Sequence, residues 1–259
     1  GQLFDAADAD ARALARVLVP RREVANTIHY RRRKGSLALL ENLARDVANW
    51  PARAQEFYRL LAWQQNLNHQ HLGRARTLDV HDTDALDLEG GPFQRSAHTV
   101  DVRRINDRHQ PGLMNPAAIG LYVWRLRNYS VSHCAAYCHE KTGPHCFTFS
   151  VLGQDAPLFT LPQPESSEYT LAGELNLPVP IRRLALERQL AALYGADKSL
   201  AIYGNGWGEF DPKQPVPPEA LIVADLSDWA YVPPLHHIAI DPVLGRFAFP
   251  PTQLPRKGV

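Results

Sequence analysis

The sequence predicts an α+β fold, with a helical N-terminal segment followed by a strand-rich domain. Three observations carry that expectation. Residues 22–49 hold two apolar stripes at helical spacing, joined at a glycine. From about residue 73 the helical texture gives way to short β-type runs separated by turn signals. The last two runs, in 'HHIAIDPVLGRFAF', read as a hairpin. The expected division is a helical docking segment over 1–72 and a mixed domain over 73–259.

The first stripe is Val24 and Ile28, on a helix ending near Lys34, with Gly35 as the residue just past its end. Ser36 is placed to cap a second helix, which carries Leu37, Leu40, Leu43 and Val47 and runs to about Asn49. Pro51 suits the first turn of a third helix, with Phe57, Leu60 and Leu61 on its inner face. The strand candidates are 'AHTVDVRRI', 'IGLYVWRLR', 'CFTFSVLG', 'KSLAIYG', 'ALIVADL', 'HHIAI' and 'RFAFP'. In the second of these, Tyr122, Trp124 and Leu126 alternate with Leu121, Val123 and Arg125, the pattern of a half-buried strand. One helix is inserted among the strands. Pro180 opens it, and Ile181, Leu184, Leu190 and Leu193 form its stripe.

Composition narrows the function classes. The 259 residues carry a formal net charge of +1, with 28 basic and 27 acidic side chains, well short of the basic excess of a dedicated DNA-binding domain. No apolar run approaches the ~20 residues of a membrane-spanning helix. The opening 'GQLFDAADADARALARVLVP' lacks the pattern of a signal peptide. Three cysteines are too few for a disulfide scaffold and point to a reducing compartment.

Motifs that carry chemistry are sparse. There is no G-x-S-x-G and no H-E-x-x-H. 'YGNGWGEF' matches neither a P-loop nor a dinucleotide fingerprint and reads as a turn. Asp79, Asp82, Asp84, Asp87 and Glu89 lack EF-hand spacing and read as a solvated acidic loop. Asp225 and Asp228 read as turn and cap residues. The densest cluster is 'SHCAAYCHEKTGPHC', with His133, Cys134, Cys138, His139, His145 and Cys146. Thiolates and imidazoles of this kind hold zinc, but the spacing forms no paired knuckle. A zinc-stabilised module or zinc enzyme therefore stands beside ordinary buried thiols and solvated histidines as a reading of this segment.

The remaining feature is the basic run Arg31, Arg32, Arg33 and Lys34, directly before Gly35 and Ser36. At a helix C-terminus such charges meet the negative end of the macrodipole. As a phosphate site the run lacks stacking aromatics, Tyr30 being the one close by. 'HYRRRKGSLALLENLARDV' resembles the hallmark of the tail protein I family of contractile-tailed phages, in which basic residues precede Lys-Gly-Thr/Ser and a helix. Ser36 stands where Thr is commoner, which leaves capping intact. 'NWPARAQEFYRLL' is similar to longer phage tail proteins of contractile injection systems. So, more loosely, are 'VDVRRI', 'VWRLR', 'FTFSVLGQDAPLF' and 'IDPVLGRFAFPP'. The Cys/His cluster is not part of the family pattern.

The resemblance implies a structural baseplate wedge component rather than an enzyme, with no cofactor. It would link the central spike and tube hub to the surrounding baseplate and sheath. Its partners would be other baseplate proteins, including further wedge subunits, with no nucleic acid and no stable membrane insertion. Assembly would take place in the bacterial cytoplasm, and the docking residues would be Arg31, Arg32, Arg33, Lys34, Gly35 and Ser36.

Overall fold

A computed structural model describes residues 21–62, 66–69, 79–102, 118–126, 128–208, 211–255 and 259. The fold is α+β. The expected boundary at 72/73 and the first part of the helical segment lie outside the described residues. The contacts divide the chain into two compact units. One comprises Gly1–Leu126 with Glu165–Gly173, and the other comprises Arg127–Pro164 with Glu174–Val259.

In the first unit, helix α1 spans Arg21–Arg32 and helix α2 spans Leu37–Ala48. Strand β1 (Ala52–Glu56) follows, then a 3-10 turn over Phe57–Leu60. A short helix α3 spans Thr83–Asp87, and strand β2 spans Ile119–Val123. β1 and β2 form an antiparallel ribbon in which Ala54 faces Leu121.

The helix expected from Pro51 is therefore a strand and a 3-10 turn. Residues 52–56 gain a ladder partner more than sixty residues away in sequence, and that pairing overrides the local spacing. Phe57 and Leu60 are buried as expected, but from the 3-10 turn. Of 'AHTVDVRRI', the described part forms a single bridge between His98 and Leu61, and its end lies outside the described residues.

α1 also departs from expectation, since none of its residues is fully buried. Val24 is 60% and Ile28 70% exposed. The helix packs by polar groups instead. Asn26 Nδ2 donates to Asp46 Oδ2 at 2.8 Å, and the Tyr30 hydroxyl donates to the same oxygen. Burial, with the Asp46 carboxylate beside it, pushes the Tyr30 phenol up to about 12.

On α2 the most deeply buried side chain is an acid. Glu41 has no exposed surface, while Val47 from the expected stripe lies largely in solvent. Its carboxylate accepts from Ala54 N–H and Ala172 N–H, both at 2.8 Å. Arg53 Nη1 lies 3.9 Å from it and donates to Ala172 O at 2.8 Å. Glu41 thereby ties α2, β1 and the 165–173 segment into one unit. Burial raises the Glu41 carboxyl, against the two N–H groups and Arg53, and burial lowers Arg53.

The second unit holds a five-stranded sheet. Strands β3 (Tyr137–Cys138), β4 (Cys146–Thr148), β5 (Leu221–Val223), β6 (Ile238–Asp241) and β7 (Arg246–Ala248) lie in the order β3-β4-β7-β6-β5. Only β5–β6 is parallel. The expected C-terminal hairpin is β6–β7, with Ile240 facing Phe247. Phe147 and Phe247 pair across β4–β7 and stack at 5.5 Å, with Phe249 edge-on to both. The inserted helix is two short ones, α4 (Arg183–Arg188) and α5 (Leu190–Leu193), broken at Gln189. Ala185 and Leu186 join Ile181 and Leu193 in the buried set, whereas Leu184 and Leu190 are half-buried.

'KSLAIYG' forms no strand, only a bridge from Leu200 to Tyr194. The hairpin corner is pinned by buried Asp241, which accepts from Arg183 Nε at 3.0 Å, Arg183 Nη2 at 2.7 Å and Leu226 N–H at 3.0 Å. Gly245 has φ +64°, and a Cβ there would fall 2.2 Å from Ala156 O, so the turn requires glycine.

Candidate functional site

The corner between α1 and α2 follows from its residues. Gly35 sits at φ +94°, where a side chain would strain the backbone although no atom lies within 4 Å of its would-be Cβ. Ser36 occupies the N-cap position of α2 with extended backbone, as expected, but its hydroxyl does not cap. It turns back to donate to Arg33 O at 3.0 Å, the carbonyl that also accepts Ser36 N–H at 3.1 Å. Ser36 therefore closes the end of α1 rather than opening α2.

The four basic residues divide into two groups. Arg33 is built into the fold. Its side chain is only 9% exposed, and its Nη2 donates to Glu168 O at 2.6 Å. It also meets His29 Nε2 at 2.9 Å and lies over the Tyr169 ring at 4.1 Å. Arg31, Arg32 and Lys34 are exposed and form no ion pair with any described residue. Arg31 and Arg32 lie one turn on from Ile28, and Ile28 one turn on from Val24, so the outer face of α1 joins exposed apolar groups to exposed positive charge. Of the six expected docking residues, Arg33 is held within its unit and the other five are at the surface.

The Cys138 and Cys146 thiols act on each other, but the other side chains of the Cys/His segment point elsewhere. Cys134 is exposed, its thiol directed at Ser132 O. Cys138 points at Pro144 O, and Cys146 is buried on β4. Burial pushes both the Cys138 and the Cys146 thiol up, and the neighbouring Cys138 adds to the rise at Cys146. His139 packs between Tyr137 and Trp229 at 5.1 and 5.6 Å, and the His145 ring covers Gly143. Among the described residues, no group of three or more His, Cys, Asp and Glu side chains is placed to hold a metal ion.

A cleft of about 1080 Å³ in the second unit is lined by Ser132, His133, Lys198, Tyr203 and Lys213, among others. Lys198 Nζ is spent on Ala191 O, and the His133 ring packs against Tyr203 at 5.0 Å. Of the acidic loop, Asp82 caps α3 by accepting Ala85 N–H at 3.1 Å, and Asp84 pairs with Arg95 at 2.6 Å. Asp225 accepts Ser227 N–H at 2.9 Å in a turn. Gly206 and Gly208 of 'YGNGWGEF' have positive φ around buried Trp207, as a turn requires.

Sequence spacing pointed to neither Glu41 nor the inward turn of Arg33. No helix among the described residues is long and apolar enough to cross a membrane. No protein-family profile, curated protein or solved structure matches this chain.

Proposed function

We propose that this chain is a structural baseplate wedge component of a contractile phage tail or a phage-tail-like contractile injection system. In this role it links the central spike and tube hub to the surrounding baseplate and sheath. It works by holding neighbours in place, without catalysis or a cofactor, and its partners are other baseplate proteins, including further wedge subunits. It assembles in the bacterial cytoplasm and ends in the particle.

Support comes from the resemblance of residues 29–47 to the tail protein I hallmark, and above all from one observation: Arg31, Arg32 and Lys34 are exposed and have no ion-pair partner among the described residues, at a corner that the sequence builds with Gly35. Exposed cations beside exposed Val24 and Ile28 suit a protein surface that offers both carboxylates and apolar side chains. The test is the double variant Arg31→Gln/Arg32→Gln. It is expected to fold as the parent chain does and to be missing from assembled particles. Normal incorporation into contractile particles would overturn the docking role.

A further inference from the structure

Of the two edges of the β1–β2 ribbon, the β1 edge meets the Glu41 carboxylate of α2, and the β2 edge has no strand beside it among the described residues. Trp124 N–H donates to Pro51 O at 3.0 Å and Phe57 N–H to Ala118 O at 3.3 Å, at the two ends of the ladder. With the register Ala52↔Val123 to Glu56↔Ile119, these bonds set the phase. Gly120 and Tyr122 direct their main-chain groups at β1. Ile119, Leu121 and Val123 direct theirs away from it.

By the same phase Ala52, Ala54 and Glu56 face outward from β1. There the Ala54 N–H is taken up by the buried Glu41 carboxylate at 2.8 Å. Nothing comparable serves β2, which has β1 as its one neighbour among the described residues. Its outward residues also expose their side chains: Ile119 by 51%, Leu121 by 46% and Val123 by 37%. Natural edge strands are guarded by charge, proline or a bulge. The stretch 'IGLYV' has no charge and no proline, and its register runs without a bulge.

Main-chain donors and acceptors at two-residue spacing are matched by another extended strand. We infer that β2 pairs with β2 of a second copy of this chain, antiparallel about a two-fold axis through Leu121. The axis places Leu121 opposite Leu121 and Ile119 opposite Val123 of the second copy. Each of these pairs exchanges both hydrogen bonds, and no outward group is left over. β-branched residues face β-branched residues, and the outward set is self-complementary, as an isologous contact demands. The ribbon becomes a continuous four-stranded sheet with Ile119, Leu121 and Val123 of both copies on one face. This contact is separate from the α1–α2 corner and does not depend on the baseplate role.

The test is sedimentation equilibrium of the full chain across a wide concentration range. The expected result is a reversible dimer of the 29.0 kDa chain. Leu121→Pro removes an outward N–H and no ladder bond to β1. It is expected to weaken the dimer by about tenfold or more, the worth of roughly one buried backbone hydrogen bond pair. Leu121→Lys and Leu121→Glu, which place like charges opposite each other, are each expected to be monomeric. An equal mixture of the two is expected to associate again, because position 121 meets itself. In the parent chain the 119, 121 and 123 amides should gain exchange protection with concentration, while those of 120 and 122 stay protected throughout. A parent chain that is monomeric at every concentration would overturn the inference. So would Lys and Glu variants that associate like the parent, or a mixture that fails to associate.

Discussion

Replacing Glu41 by Ala tests what holds the first unit together. The carboxylate is fully buried and accepts two backbone N–H groups from segments distant in sequence, Ala54 and Ala172, with Arg53 3.9 Å away. Removing it strands two buried donors at ~1–3 kcal/mol each and leaves Arg53 without its counter-charge. Breaking a buried pair in this way costs about 3–5 kcal/mol. Glu41→Gln keeps one acceptor oxygen and should cost roughly half as much. The pH dependence has a definite sign. Burial raises the folded carboxyl above its ordinary 4.5, so the folded state binds the proton more tightly than the unfolded chain. Glu41's contribution is therefore fullest below pH 4.5 and declines as pH rises through the folded value. Denaturant unfolding of the parent, Ala and Gln chains over pH 4–8 measures both effects. Amide exchange at Ala54 and Ala172 reports the two bonds directly. A Glu41→Ala chain with unchanged stability and unchanged exchange at those amides would show that the carboxylate does not hold these segments together.

A Cβ at Gly35 meets no atom within 4 Å, so the positive φ sets the cost of Gly35→Val at ~1–2 kcal/mol or more. Gly35→Asn should cost less, and unchanged melting of the Val variant would remove the strained corner. Arg33→Gln should destabilise the first unit more than Arg32→Gln, because Arg33 bonds Glu168 O and covers Tyr169, while exposed charges at a helix end contribute only ~0.3–1 kcal/mol; equal thermal midpoints would contradict the division of the basic run. Hydrogen bonds from Arg246 hold the Asp155 carboxyl below its ordinary 3.8. Its stabilising contribution is present above pH 3.8 and is lost as pH falls through the depressed value, so the stability gap between the parent and Asp155→Asn should close in acid; a gap that persists there would exclude the ion pair as its source.

Features governed by near neighbours were legible in the sequence. The Gly35 corner and the β6–β7 hairpin each rest on a turn residue with a fixed conformational demand, and both appear as expected. Features governed by distant contacts were not. β1 looks like a helix start because Pro51 and the Phe57–Leu60 spacing fit one, and nothing nearby announces a strand partner at 119–123. Glu41 lies four residues before Arg45, a spacing that marks exposed helix pairs. In the fold Arg45 pairs with Glu165 at 3.0 Å, and Glu41 is left free to bind main chain. Val24 and Ile28 have the spacing of a buried stripe, yet α1 packs through Asn26 and Tyr30 onto Asp46. At the corner the sequence showed four equivalent charges. Only the position of Glu168 and Tyr169, more than 130 residues away, separates Arg33 from the rest.

The proposed role rests on docking of the α1–α2 corner into a baseplate. A reconstruction of assembled contractile particles at side-chain resolution tests it most directly. Density for this chain is expected in the baseplate, with Arg31, Arg32 and Lys34 against carboxylates of a neighbouring protein and Val24 and Ile28 covered by its apolar side chains. Particles that lack the chain, or that hold it with this face of α1 open to solvent, would overturn that role.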